Sequence, residues 1–242
     1  MIYVLILTVG LTAGILGGIV GTGTSIMLLP VLAYLYGPKQ AVPIMAIAAV
    51  MANAARILAW WRDIDWKAVA VYSIPAVPAA ALGARTLLVL PSLAVDITIG
   101  VFFIAMIPLR RWMAANNVTL PLWSLSIIGV VAGFLTGIVA STGPMTVPLF
   151  VAYGIVKGAL LGTEAAVSLA VYVTKAITFR RFDALPFDII IKGVITGSSL
   201  FAGAFIAKRL VLKIDPDSFR LLIDGMMLVA GLSMFWSAFS SG

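Results

Sequence analysis

Residues 2–38 contain no charged side chain. As one continuous α-helix they would run about 55 Å, against a bilayer hydrocarbon core about 30 Å thick. The stretch must break, and residues 14–30, GILGGIVGTGTSIMLLP, are where it can. Glycine permits the non-helical backbone that a break requires, and Thr24 or Ser25 can cap the helix that restarts there. A second uncharged stretch, 112–156, is interrupted in the same way by GFLTGIVASTGPMTVP at 133–148. Inside a membrane an irregular backbone is tolerated only where it is buried in protein or lines a polar cavity. Each break is therefore a site candidate.

With 62% hydrophobic and 10% charged residues and a mean hydropathy of +1.16, the chain reads as an integral membrane protein. Its first apolar run has no small-residue cleavage site after it and reads as a retained span. The net charge of +7 sits mainly between apolar runs, which points to topology signals facing anionic lipid rather than to a nucleic-acid partner. Cysteine and histidine are both absent. That removes thiolate or imidazole metal sites and Ser/His or Cys/His catalytic pairs; no phosphate-binding loop occurs. The reading is of a transporter, not an enzyme, with no cofactor and no metal.

Apolar segments at about 2–21, 24–36, 41–60, 67–89, 93–109, 120–140, 143–155, 158–179, 187–211 and 217–238 predict an all-α polytopic membrane protein. They amount to ten helical segments, or about eight transmembrane spans if each broken helix, after Gly23 and after Gly143, counts once. The longest link, Arg110 to Pro121, suggests an N-terminal membrane repeat at 1–111, a linker at 112–119 and a C-terminal repeat at 120–242. Gly10, Ala13, Gly14, Leu16, Gly18, Ile19 and Val20 recur 119 residues later (129 − 10) as Gly129, Ala132, Gly133, Leu135, Gly137, Ile138 and Val139. In the same register Arg56 falls on Lys175, Asn53 on Tyr172 and Arg62 on Arg181. Duplication with a broken helix in each half is a pattern of secondary transporters, whose sites lie where the repeats meet. Eight spans would make the halves parallel; ten segments would make them inverted, with most Lys and Arg on one side and both termini outside the cytoplasm.

Helices restarting near Thr24 and Pro144 would point unsatisfied N–H groups and positive dipole ends into the protein, an arrangement that binds oxyanions. Thr22, Thr24, Ser25, Ser141, Thr142 and Thr146 add hydroxyls, and Gly21, Gly23 and Gly143 allow close approach to the backbone. The competing reading is that the small residues serve close helix packing. Arg56 and Lys175 would form a pseudo-symmetric cationic pair around an anion, or else snorkel to the headgroups. Asn53 and Tyr172, one turn before them, could donate to a substrate oxygen. Glu164, Asp96 and Asp224 are candidate proton carriers, with helix-end or ion-pair roles as the alternative.

These motifs, GILGGIVGTGTSIMLLPVL, its second copy GFLTGIVASTGPMTVPLF and the Trp60-Trp61-Arg62 link, resemble the TauE/SafE-type family of sulfite and sulfonate exporters. The resemblance extends over the whole chain. It implies a multi-pass transporter of the cytoplasmic (inner) membrane that moves sulfite or a small sulfonate, with Gly18 to Ser25 and Gly137 to Thr146 lining the site. The second copy departs from the first, having Ala140-Ser141 where Gly21-Thr22 stand and a proline after Gly143. The residues themselves reach only a small oxyanion, carried by alternating access. A passive anion channel, a carrier of another organic anion or a cation carrier remain as alternatives, and a homo-oligomer is compatible with the sequence.

Overall fold

The computed structural model describes residues 2–20, 23–139 and 143–210, and from the remainder residues 224, 225, 228, 229, 231, 232, 235 and 236. Among the described residues there are nine helices: α1 (Ile2–Val20), α2 (Gly23–Tyr36), α3 (Pro38–Trp60), α4 (Trp66–Val89), α5 (Ser92–Ala115), α6 (Ser124–Ile138), α7 (Gly143–Tyr153), α8 (Lys157–Arg181) and α9 (Phe187–Leu210). The described residues from 224 to 236 are helical too. Five of the nine are long and apolar enough to cross a membrane by length and composition, and three shorter apolar helices accompany them. The chain is an all-α polytopic membrane protein.

Both expected breaks are present, and the helices restart at Gly23 and Gly143 themselves. At the first break the chain doubles back. A β-carbon on Gly17 would lie 3.0 Å from the backbone nitrogen of Thr24, seven residues on, whereas a continuous helix would separate the two by about 10 Å. α1 therefore packs beside α2. α2 passes into α3 through Gly37, whose φ of +77° is one that glycine adopts without strain.

α5 continues through Arg110, Arg111 and Trp112 to Ala115, and the chain turns only at Asn116 and Asn117.

Helices of one half pack chiefly on helices of the other: α1 on α9, α6 on α4, α3 on α9, α8 on α4, and α3 on α8. Glycine seams set the first two contacts. Gly10 faces Ser199, Gly14 faces Leu200 and Gly203, and Gly18 faces Ala204 and Ala207, so α1 and α9 run parallel. Gly129 faces Tyr72, Gly133 faces Ala76, and Gly137 faces Gly83 and Ala84, so α6 and α4 do the same. At each seam the nearest atoms include backbone, the close approach that small residues permit inside a membrane. Gly193 meets Ile44 and Ile47 while Gly197 meets Ala48 and Met51, which makes α9 parallel to α3.

The α3–α8 contact runs the other way. Trp60 near the end of α3 covers Gly158 and Gly162 at the start of α8, and Arg56 one turn earlier meets Glu164 further along. α3 and α8, which fall on one another in the 119-residue register, are therefore antiparallel.

Candidate functional site at the first helix break

The antiparallel crossing of α3 and α8 brings Ala49 and Asn53 opposite Ser168 and Tyr172, their own counterparts in the register (49 + 119 = 168; 53 + 119 = 172). Together with Ala52, Arg56, Glu164 and the first turn of α2, Thr24 and Ser25, they line a cavity of about 10 Å³. That is room for about one water molecule. Helical spacing aligns these side chains: 49, 53 and 56 on α3, and 164, 168 and 172 on α8. The break supplies the third wall, because Thr24 and Ser25 belong to the first turn of α2.

Arg56 is 7% exposed and Glu164 2%. They form an ion pair at 2.7 Å. The guanidinium also donates to the side-chain oxygen of Asn53, whose amide donates to the Ala49 carbonyl at 2.8 Å. The other Glu164 oxygen accepts from the Ser168 hydroxyl at 2.7 Å. A bilayer-depth charge is costly unless it is paired and hydrogen-bonded, and here both charges are. The ion pair is neutral in sum, and the site offers one guanidinium, several hydroxyls and a helix N-terminus.

The second break is built differently. Lys175, with no exposed surface, does not line the cavity. Its ammonium donates to the carbonyls of Thr136 at 2.5 Å and Val139 at 2.8 Å, in the last turn and C-cap of α6. It also lies 5.7 Å from the centre of the Phe179 ring. A cation there satisfies orphan carbonyls and complements the negative end of the helix dipole. Lys175 thus closes the second break, while its counterpart Arg56 turns to Glu164. The asymmetry follows from sequence, since the register counterpart of Glu164 is Met45 (164 − 119 = 45).

Gly143 starts α7, and the buried Thr146 hydroxyl donates to its carbonyl at 3.4 Å. Neither lines the cavity. Gly18 and Gly137 lie in the glycine seams. Gly21, Thr22, Ser141 and Thr142 lie outside the described residues. Gly23 begins α2 next to the cavity-lining Thr24. Asp224 is remote from the cavity and binds Arg111 at 2.8 Å and Arg110 at 3.8 Å. Asp96 is buried in α5. The sequence reading missed Ser168, which stands one helical turn from both Glu164 and Tyr172, a spacing that could have revealed it.

The α3–α4 turn is tied down beside this site. The Asp65 N–H donates to the Thr163 hydroxyl at 2.9 Å, its carboxylate caps α4 at Ala68, and the Tyr153 hydroxyl donates to it at 3.4 Å. One residue on from Thr163, Glu164 is held in register with Arg56.

None of the curated proteins and none of the solved structures shows significant similarity to the chain. The profile of the family described as sulfite exporter TauE/SafE matches residues 6–234, nearly the whole length. The chain therefore belongs to the TauE/SafE sulfite exporter family, a family of membrane transporters and not of enzymes.

Proposed function

We propose that the protein is a secondary transporter that exports sulfite or a small organosulfonate across the cytoplasmic membrane by alternating access. Its halves, 1–111 and 120–242 with a linker at 112–119, are read as inverted repeats, and the substrate sits at their meeting point. One observation carries this: a buried arginine faces a cavity lined by Thr24, Ser25, Asn53 and Tyr172 at the free N-terminus of α2. Guanidinium, hydroxyls and backbone N–H groups are the donors that a sulfo group, with its several acceptor oxygens, can use at once.

In this reading Gly21, Thr22 and Gly23 let the anion approach the backbone, and Thr24, Ser25, Asn53, Arg56 and Tyr172 hold it. Lys175, with Gly143 and Thr146, steadies the second break outside this cavity, and Ser141 and Thr142 belong to that break by sequence. The small cavity of about 10 Å³ supports a carrier rather than a wide pore.

The test is thermal stability of the detergent-purified protein against sulfite, methanesulfonate, sulfoacetate, sulfate, chloride and divalent cations, paired with flux in proteoliposomes. Selective, saturable stabilisation by sulfite or a sulfonate is expected, with saturable flux of the same anion. Stabilisation by divalent cations alone would replace the anion reading with a cation carrier, and non-saturating flux would replace the carrier with a channel.

A further inference from the structure

The cavity poses a problem of space and charge. About 10 Å³ admits one water but not a sulfo group, so an anion can enter only if something leaves. An anion added to the intact Arg56–Glu164 pair would leave a net negative charge buried at bilayer depth, which the surroundings strongly disfavour. One movement resolves both difficulties: the Glu164 carboxylate vacates Arg56.

We infer that Glu164 is the resident counter-anion of Arg56, and that each substrate anion displaces it while Glu164 takes up one proton. This deepens the transport reading above and rests on it. In the empty state the Arg56–Glu164 ion pair is intact. In the loaded state Arg56 pairs with the substrate, and Glu164 is a neutral acid whose O–H needs a hydrogen-bond acceptor. The proton comes from the aqueous phase to which the site is open, and one ion pair is exchanged for another.

The surroundings suit such an exchange. Arg56 is held by Asn53 from its own helix and so stays in place when Glu164 departs. Ser168, which donates to Glu164, can instead accept from the protonated form. The titratable and charged groups facing Glu164 are Arg56 from α3, Tyr72 from α4 and Tyr172 from α8. α2 contributes only the hydroxyls of Thr24 and Ser25. α6 has no titratable side chain, and the single one of α7, Tyr153, is bonded to Asp65. Glu164 is thus the carboxylate in direct contact with the Arg56 guanidinium. Anion and proton then share one occupied state, and transport of a monovalent anion becomes electroneutral.

Methanesulfonate separates protein protons from ligand protons, because it stays ionised throughout the useful pH range. Proton uptake on binding is read with a pH indicator in weakly buffered detergent solution, and affinity is measured across pH. The wild type should take up close to one proton per anion, with the dissociation constant rising about tenfold per pH unit where Glu164 is ionised in the empty protein. Glu164→Gln should bind methanesulfonate with no proton uptake and no pH dependence. Binding without uptake by the wild type, or uptake unchanged in Glu164→Gln, overturns the exchange and leaves the anion site standing. Failure of the wild type to bind methanesulfonate, sulfoacetate or sulfite overturns the anion site and the exchange together. Should Glu164→Gln not fold, the wild-type proton count decides alone, with Glu164→Asp expected to retain it.

Discussion

Lys175 donates to the carbonyl of Val139 at 2.8 Å, so a side chain of α8 caps the end of α6 at a point where the membrane offers no water to do so. The same ammonium reaches Thr136. Lys175→Met would take the ammonium away from both acceptors and should lower stability by about 1–3 kcal/mol. Lys175→Gln, which keeps a donor, should lose less. Because Lys175 stands outside the cavity, both variants should keep the anion affinity of the wild type, checked by melting curves with and without methanesulfonate. A collapse of affinity in the stable Gln variant would return Lys175 to the binding site.

Arg56 and Glu164 bear on stability as well as on function. Removing one partner of a buried pair costs about 3–5 kcal/mol, whereas replacing both by apolar residues is often neutral. Arg56→Met alone should therefore destabilise the protein strongly, and Arg56→Met with Glu164→Met should recover most of the loss. Proteoliposome flux should be absent in both. Flux in the folded double variant would remove the pair from the transport cycle.

The glycine seams predict matched sensitivities at matched positions. A β-carbon on Gly14 would lie 2.7 Å from the Leu200 carbonyl oxygen, and one on Gly133 would run into the Ala76 carbonyl. Neither neighbour is a side chain that can swing away. Gly14→Val and Gly133→Val should each cost about 1–3 kcal/mol or more through overpacking. Similar drops in melting temperature are expected, and tolerance at either position would contradict the close approach.

The packing of α1 on α9 can be tested by a cross-link in a chain with no cysteine of its own. A β-carbon on Gly10 would lie 3.2 Å from that of Ser199, close to disulfide geometry. Gly10→Cys with Ser199→Cys should oxidise readily. With a protease site placed in the 116–122 loop, the two fragments should co-migrate on a gel until reductant is added. Separate migration without reductant would refute the cross-half contact.

Much of the fold was legible in the sequence because membrane solvent leaves few choices. An uncharged run too long for the bilayer had to break, and Gly17 to Thr24 marked where. The end of α5 was not legible: the apolar segment stops at Leu109 because arginines follow, but charge does not end a helix. Arg, Met and Ala continue it to Ala115 until the asparagines turn the chain. In the site, Arg56, Asn53 and Tyr172 stood out as polar residues in apolar surroundings. Glu164 stood out too, but not as the partner of Arg56, because it lies 108 residues away (164 − 56) at a position where the internal register breaks down. The partners of Lys175 are backbone carbonyls, which carry no side-chain signature.

The interchange of helices between halves also bears on how the molecule comes into being. When only residues up to α5 have left the ribosome, the seam faces of α1 and α4 have no partners, since those arrive with α9 and α6. The first five helices must wait in the lipid, individually inserted and collectively unfinished, until the later helices thread between them. By the same token the covalent link across 116–123 adds little cohesion. Two separately translated fragments, divided there, carry the seam surfaces of α1, α4, α6 and α9 that would bring them together.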